Sequence, residues 1–373
     1  MSKTIYSSSA TGLVLSLALA CHGAETAAKW LGANSCASSS CHGGGGAKQD
    51  QFLVWSLKDF HSQRPAATLA TARSKQIADA LEMKDPAADA RCTSCHAPLN
   101  GVPANLRGEN FKVSEGVSCE SCHGPAGNWI RAHTRADYTR ADRTAAGMSD
   151  LQNLYVRANT CVACHQNVAD DILKAGHPEL IFELDGQSVA EPKHWSADKN
   201  GNGAQAWLVG QAVALREMSW QISHEPHPDA KLIARRDALV WLLRTVSAID
   251  SSYALSSLLD VRQDAPVIEQ WADNLARTAA DNWKAENASR ALKRLAQTSG
   301  AFQNVSSEVA VRRAERLVLA LDRLVVALPE LKNDAPVQSA LNRLFQLAQS
   351  VPDFDAKQFA AALENFSATL ATH

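Results

Sequence analysis

Cysteine recurs in this chain with a fixed neighbour. Cys92-Thr-Ser-Cys95-His96, Cys119-Glu-Ser-Cys122-His123 and Cys161-Val-Ala-Cys164-His165 are three copies of Cys-x-x-Cys-His, the pattern that attaches c-type haem. Two thiols about one helical turn apart can add across the two vinyl groups on one porphyrin edge, and the adjacent imidazole then reaches the iron from one face. A fourth copy is stretched: Cys36-Ala-Ser-Ser-Ser-Cys41-His42 puts four residues between the thiols. It counts as a haem site because Cys-His is contiguous and no other partner cysteine remains. Paired cysteines also build tetrahedral zinc sites, but four pairs each followed at once by histidine fit zinc poorly.

Four haem c groups with proximal ligands His42, His96, His123 and His165 leave the far face of each iron to fill. Of 12 histidines, eight lie outside the motifs, and four of these fall within the haem-bearing stretch: His61, His133, His177 and His194. These are the distal candidates, each weighed against a surface or packing imidazole. Methionine, the usual competitor, raises the redox potential. It is scarce: beyond the initiator only Met83, Met148 and Met218 remain, and Met218 sits on an apolar helical stripe suited to core packing. The expectation is bis-histidine, low-spin iron. His22, His224, His227 and His373 read as bystanders, although His22, near a mature N-terminus, could cap an iron.

The context of the motifs resembles the multihaem cytochromes of the cytochrome c-554 family. Trp55-Ser56 followed by His61, the segment Gly116 to Pro125 with Trp129 and His133, and Ala175-Gly176-His177-Pro178 leading to Phe182 and then Pro192-Lys193-His194-Trp195 carry the likeness, which spans residues 30 to about 220. The resemblance strengthens His61, His133 and His177 as ligands. It implies electron carriage between quinol-side donors and terminal acceptors, or, in some members, reduction of a small nitrogen or sulfur compound at a five-coordinate haem. The stretched first motif departs from the family's usual two intervening residues.

The elements that must hold these residues divide in two. Between Trp30 and Trp195 the chain is rich in Gly, Ala, Ser, Asp and Pro and poor in periodic apolar runs, so haem must supply the missing apolar bulk. Short helices at the attachment sites joined by long loops are expected there, with Gly43 to Gly46 as a sharp turn. Beyond the turn-rich Asp198-Lys-Asn-Gly-Asn-Gly203, helical spacing takes over: Leu208, Leu215, Met218 and Ile222; Leu239, Leu242, Leu243 and Val246; Leu317, Leu321, Leu324 and Leu328; then Leu341 to Leu347 and Phe359 to Leu363. Pro266, Pro329, Pro336 and Pro352 punctuate this region. The fold class is mainly α: a haem-packed cytochrome domain at 25–200 and a C-terminal helical bundle at 201–373. The bundle reads as added core or as a docking or capping module.

Residues 1–24 have the form of a secretory signal peptide, with Lys3 before the apolar run Gly12 to Ala20. Cys21 offers a weak lipid-anchor site, and the location implied is periplasmic or extracellular. No later run is long enough to span a bilayer. With 37 basic against 39 acidic side chains, the chain lacks the charge footprint of a nucleic-acid or anionic-membrane binder. Electron carriage between redox proteins is the first reading. A haem enzyme with one open iron is the second, with Arg131, Arg135 and Lys193 as generic charged helpers. A homo-oligomer or conductive polymer is the third.

Overall fold

The computed structural model describes residues 27–46, 49–195, 203–253 and 264–371. The expected signal peptide, Cys21, His22, His373 and the expected domain boundary near residue 200 lie outside them. The described chain is mainly helical, with 16 α-helices and no strands. Two isolated bridges, Trp30 to Arg107 and Ser62 to Gly116, are its only β-type pairing.

The cysteine-bearing part folds as short helices separated by loops and 3-10 turns. They are α1 (Gln51–Lys58), α2 (Arg64–Thr68), α3 (Ala72–Ala80), α4 (Ala90–His96), α5 (Cys119–His123), α6 (Arg140–Ala145), α7 (Leu154–His165), α8 (Asp170–Lys174) and α9 (Leu184–Ala190). Local side-chain chemistry starts several of them. At α5 the Ser118 amide donates to Ser121 Oγ at 3.1 Å, Asp89 accepts from the Arg91 amide at α4, and Asn153 accepts from Tyr155 and Val156 at α7. Each standard attachment motif therefore ends a helix whose first turn is fixed by a cap.

The first motif has no α-helix. Its Cys36 closes a 3-10 turn, Ala33–Cys36, and the chain folds back so that the Gly43 amide donates to Ser38 O. A Cβ at Gly43 would meet Ala37 O at 1.9 Å, and one at Gly44 would meet Ser39 O at 2.4 Å. The glycine run is thus needed for close backbone approach at Gly43 and Gly44, and positive φ is confined to Gly46.

Longer helices follow: α10 (Gly203–His224), α11 (Ala230–Ser247), α12 (Ala265–Asp281), α13 (Asn287–Ala296), α14 (Ser307–Ala327), α15 (Ala335–Ala348) and α16 (Ala356–Leu370). Every helical stripe read from the sequence lies in one of them, except that Leu328 falls just past the end of α14. The proline at the start of α12 opens a helix instead of merely separating two, since its missing N–H falls where no intrahelical partner exists. α14 ends where Leu328, extended ahead of Pro329, can no longer continue it.

Helix α10 differs from its amphipathic expectation. Trp207 to Leu215 is buried without interruption because α7, α9, α11, α12 and α14 surround it. Gly210 has a steric reason, as a Cβ there would come within 2.7 Å of Leu184 Cβ. The apolar core is continuous through α10 to α16 and takes in Ala158 and Val162 of α7 and Phe182 and Leu184 beside α9. Arg216 of α10 ties the parts further, donating to Asp273 of α12 at 2.7 Å, while Tyr155 of α7 donates to the same carboxylate at 2.6 Å.

Candidate haem centres

The cysteine-bearing part encloses a cavity of about 3040 Å³ instead of a packed core. Single-ligand pockets run to about 300–1,000 Å³, so the space is of the size for several large groups. Its walls include all eight motif cysteines, all four proximal histidines and all four distal candidates. His224 and His227 are not among the lining residues. His224 stacks on Trp220 at 4.3 Å instead.

The histidines meet in pairs across this space. Ring centroids lie 6.1 Å apart for His42 and His133, 6.0 Å for His61 and His165, and 6.3 Å for His96 and His177. Two imidazoles on opposite faces of one metal, each on a metal–nitrogen bond of about 2 Å, have centroids roughly 6 Å apart. His123 and His194 are the two that remain, and both line the cavity. Burial pulls the His123 imidazole down to about 4, with the His194 charge the next cause and those of His42 and His133 following.

Six of these eight rings have an oxygen at Nδ1. His42 meets Gln51 Oε1 at 3.0 Å, His61 meets Asp59 Oδ1 at 3.0 Å, and His96 lies 2.9 Å from Thr68 Oγ1 and 3.1 Å from Pro65 O. His133, His177 and His194 face the carbonyls of Ile130, Pro178 and Pro192 at 2.7, 2.8 and 3.3 Å. Donation from Nδ1 fixes the tautomer and leaves Nε2 as the free base, the arrangement a metal-ligating imidazole uses. His123 Nδ1 is buried without a partner among the described residues.

The thiols do not close around a common point with their histidines. Among the described residues, the one group of three potential ligands within 4.8 Å of one another is Asp59, His61 and Glu191. That removes the support for tetrahedral zinc, while the cavity and opposed imidazoles fit haem. Thiols instead neighbour thiols of other motifs. Cys36 is in hydrogen-bond reach of Cys119, which lowers the first and raises the second, and a hydrogen bond from Cys164 brings Cys95 down to about 6. Burial, then the nearby Cys161, pushes Cys122 up to about 12.

Of the methionines, Met83 is buried with its sulfur 3.9 Å from Cys92 Sγ, Met148 lines the cavity, and Met218 is fully buried in the helical core as expected. Lys193 lines the cavity, whereas Arg135 pairs with Asp137 on the surface.

Sequence reasoning missed two sets of residues. The Nδ1 acceptors are mostly main-chain carbonyls, which carry no sequence signal; only Asp59-x-His61 could have been noticed. The second set is the far wall, made by Ala280, Ala288, Arg323 and Ala327 of α12, α13 and α14. The three alanines there leave room beside the cavity, and the bundle shares its wall with the cysteine-bearing part.

A cavity walled by Cys-x-x-Cys-His motifs and opposed imidazoles fits haem c, the group of a c-type cytochrome. The family model for cytochrome c554 and c-prime matches residues 35–124. Over that stretch, which holds the first three attachment motifs, the chain is similar to the cytochrome c554 family, and that likeness points to haem c iron and electron carriage. The match is narrower than the likeness read from residues 30 to about 220 and excludes His177 and His194. No curated protein and no solved structure matches the chain significantly. Among the described residues, no helix is long and apolar enough to cross a membrane.

Proposed function

We propose that this chain is an exported tetrahaem electron carrier, with a signal peptide at 1–24, a haem domain at 25–200 and a helical domain at 201–373, working in the periplasm or at the cell surface between a quinol-side donor and a terminal acceptor. The observation that carries the reading is the pairing of His42 with His133, His61 with His165 and His96 with His177 at 6.0–6.3 Å. His123 takes His194 by the same logic.

Each attachment motif would hold a haem through its two cysteines and its adjacent histidine, and a histidine from elsewhere in the chain would supply the second ligand. Bound haem c supplies one-electron Fe(III)/Fe(II) chemistry. The Nδ1 acceptors orient six of the eight imidazoles, at least one in every pair, with Nε2 free toward the cavity. With two histidines available to each iron, no substrate would need to bind there, and partners would need only to approach the protein surface.

Thiol neighbours also order the attachment sites. Cys36 meets Cys119, Cys122 lies near Cys161, and Cys164 meets Cys95. The sites therefore run in single file as first, third, fourth, second. That is the layout by which a carrier links two separate surface points.

A pyridine haemochrome assay on the purified protein counts haems per chain, and ferric optical and electron paramagnetic resonance spectra report their coordination. Four haems, all low-spin, are the expected result. Three haems would remove the stretched motif. A high-spin component would overturn the all-six-coordinate reading in favour of a haem enzyme acting on a small nitrogen or sulfur compound.

A further inference from the structure

The oxygens that hold the imidazoles are not equivalent. Gln51, Thr68 and the carbonyls of Pro65, Ile130, Pro178 and Pro192 are neutral acceptors. His61 alone has a carboxylate within hydrogen-bond distance, Asp59 Oδ1 at 3.0 Å. The nearest comparable case, Glu191 to His194, is an ion-pair separation of 4.0 Å.

Asp59 sits where a carboxylate is not expected. It is the C-cap of α1, at the negative end of the helix dipole, and its side chain is 3% exposed. Its Oδ1 also accepts the His61 amide at 2.9 Å. Among the described residues, both side-chain hydrogen bonds go to His61. Glu191 brings a second carboxylate within 4.8 Å of the same ring. A buried anion at an unfavourable helix end, both of whose side-chain hydrogen bonds go to the one residue His61, points to a role exerted through that residue's imidazole.

We infer that Asp59, acting through His61, makes the haem attached at Cys161 and Cys164 the lowest-potential centre of the four. The inference rests on reading His61 and His165 as the two axial ligands of that iron. A hydrogen bond to an anion gives the imidazole more electron density and makes it a more basic ligand. The more basic ligand favours the oxidised iron, which carries one more positive charge, and a nearby negative charge in a poorly solvated site acts in the same direction. Asp59 is thus a positioning and tuning residue. Placed third in the file of sites, such a centre would be crossed in transit while electrons rest on its neighbours.

The test is potentiometric titration of the full-length, haem-loaded protein and its Asp59→Asn variant, followed by optical and electron paramagnetic resonance spectra. Asn keeps an oxygen acceptor and removes the charge. The lowest midpoint should rise, its reduction equilibrium shifting about tenfold, which is about 59 mV for a one-electron couple. The other three midpoints, the haem count and the low-spin spectrum should hold, and Asp59→Glu should keep the midpoint low. An unmoved lowest midpoint in an intact Asp59→Asn protein overturns the proposal. If that variant loses haem, Glu191→Gln probes the same charge cluster without removing the Asp59 hydrogen bonds, and an unmoved lowest midpoint there overturns it equally. His61→Ala separates the underlying reading: conversion of one low-spin haem to high-spin supports ligation by His61, and an unchanged spectrum removes that ligand and the inference with it.

Discussion

Single side chains set what each iron site would experience. The His42 and His133 rings lie within 26° of parallel, whereas His61 with His165 and His96 with His177 are crossed at 84° and 76°. Parallel axial rings split the iron d orbitals strongly, and crossed rings leave two of them nearly degenerate. The ferric protein should therefore give one rhombic low-spin resonance and at least two low-spin signals of large, anisotropic g, recorded at liquid-helium temperature. Replacing His177 by Met should raise one midpoint potential while all covalent haem is retained, because thioether favours the reduced iron; a redox titration with every centre unmoved would remove His177 as a ligand. Buried Glu120 has a structural counterpart to these roles. Its carboxylate accepts the amides of Leu31, Gly32 and Ala126 at 2.8, 2.7 and 2.7 Å, pinning the segment before the first motif against α5. Glu120→Ala strands three amides and should cost about 3 kcal/mol or more, read as a lower urea midpoint.

Helices decide how firmly the sites are held to one another. Helix α7 carries the last attachment motif and is anchored to α10 and α12 by the Asp273 carboxylate, which takes Tyr155, Arg216 and Arg277. Burial raises this carboxyl, but the hydrogen bonds from those three groups outweigh it, and its pKa is lowered. A carboxyl held down in the fold contributes stability above the unfolded carboxylate range and loses it as pH falls through the folded value. Asp273→Asn should destabilise the protein by about 2 kcal/mol at neutral pH, and the gap between its melting temperature and that of the parent should close below about pH 4. A gap that persists in acid would assign the effect to packing instead.

Across the whole molecule, two kinds of interior coexist. Helices α10 to α16 close a continuous apolar core that reaches into α7, while the segments around α1 to α9 line a cavity that their own side chains do not fill. Folding of the cysteine-bearing part is therefore linked to haem, in the way any group that binds only the native state stabilises it. Chain produced without haem attachment should lose the order of α1 to α6. Limited proteolysis should then leave a helical fragment beginning near α7. Equal protease resistance along the whole chain would show that the cavity holds its shape without haem.

What could be read in the sequence was whatever chemistry writes in contiguous residues. The attachment motifs are local by necessity, because two thiols and an imidazole must meet one ring edge. Helical stripes such as Leu317 to Leu328 are legible for the same reason, since a helix repeats its face every few residues. The surplus of histidine supplied four further ligand candidates but no partners for them. Pairing His42 with His133 or His96 with His177 spans loops whose course depends on long-range contacts, as does the wall that α12, α13 and α14 build on the cavity. The burial of α10 on every side and the carboxylate behind His61 belong to the same class. Composition and spacing determined that the chain carries haem-attachment sites; only the tertiary structure decided which imidazoles oppose each other, because opposition across a cavity is a relation between segments far apart in the chain.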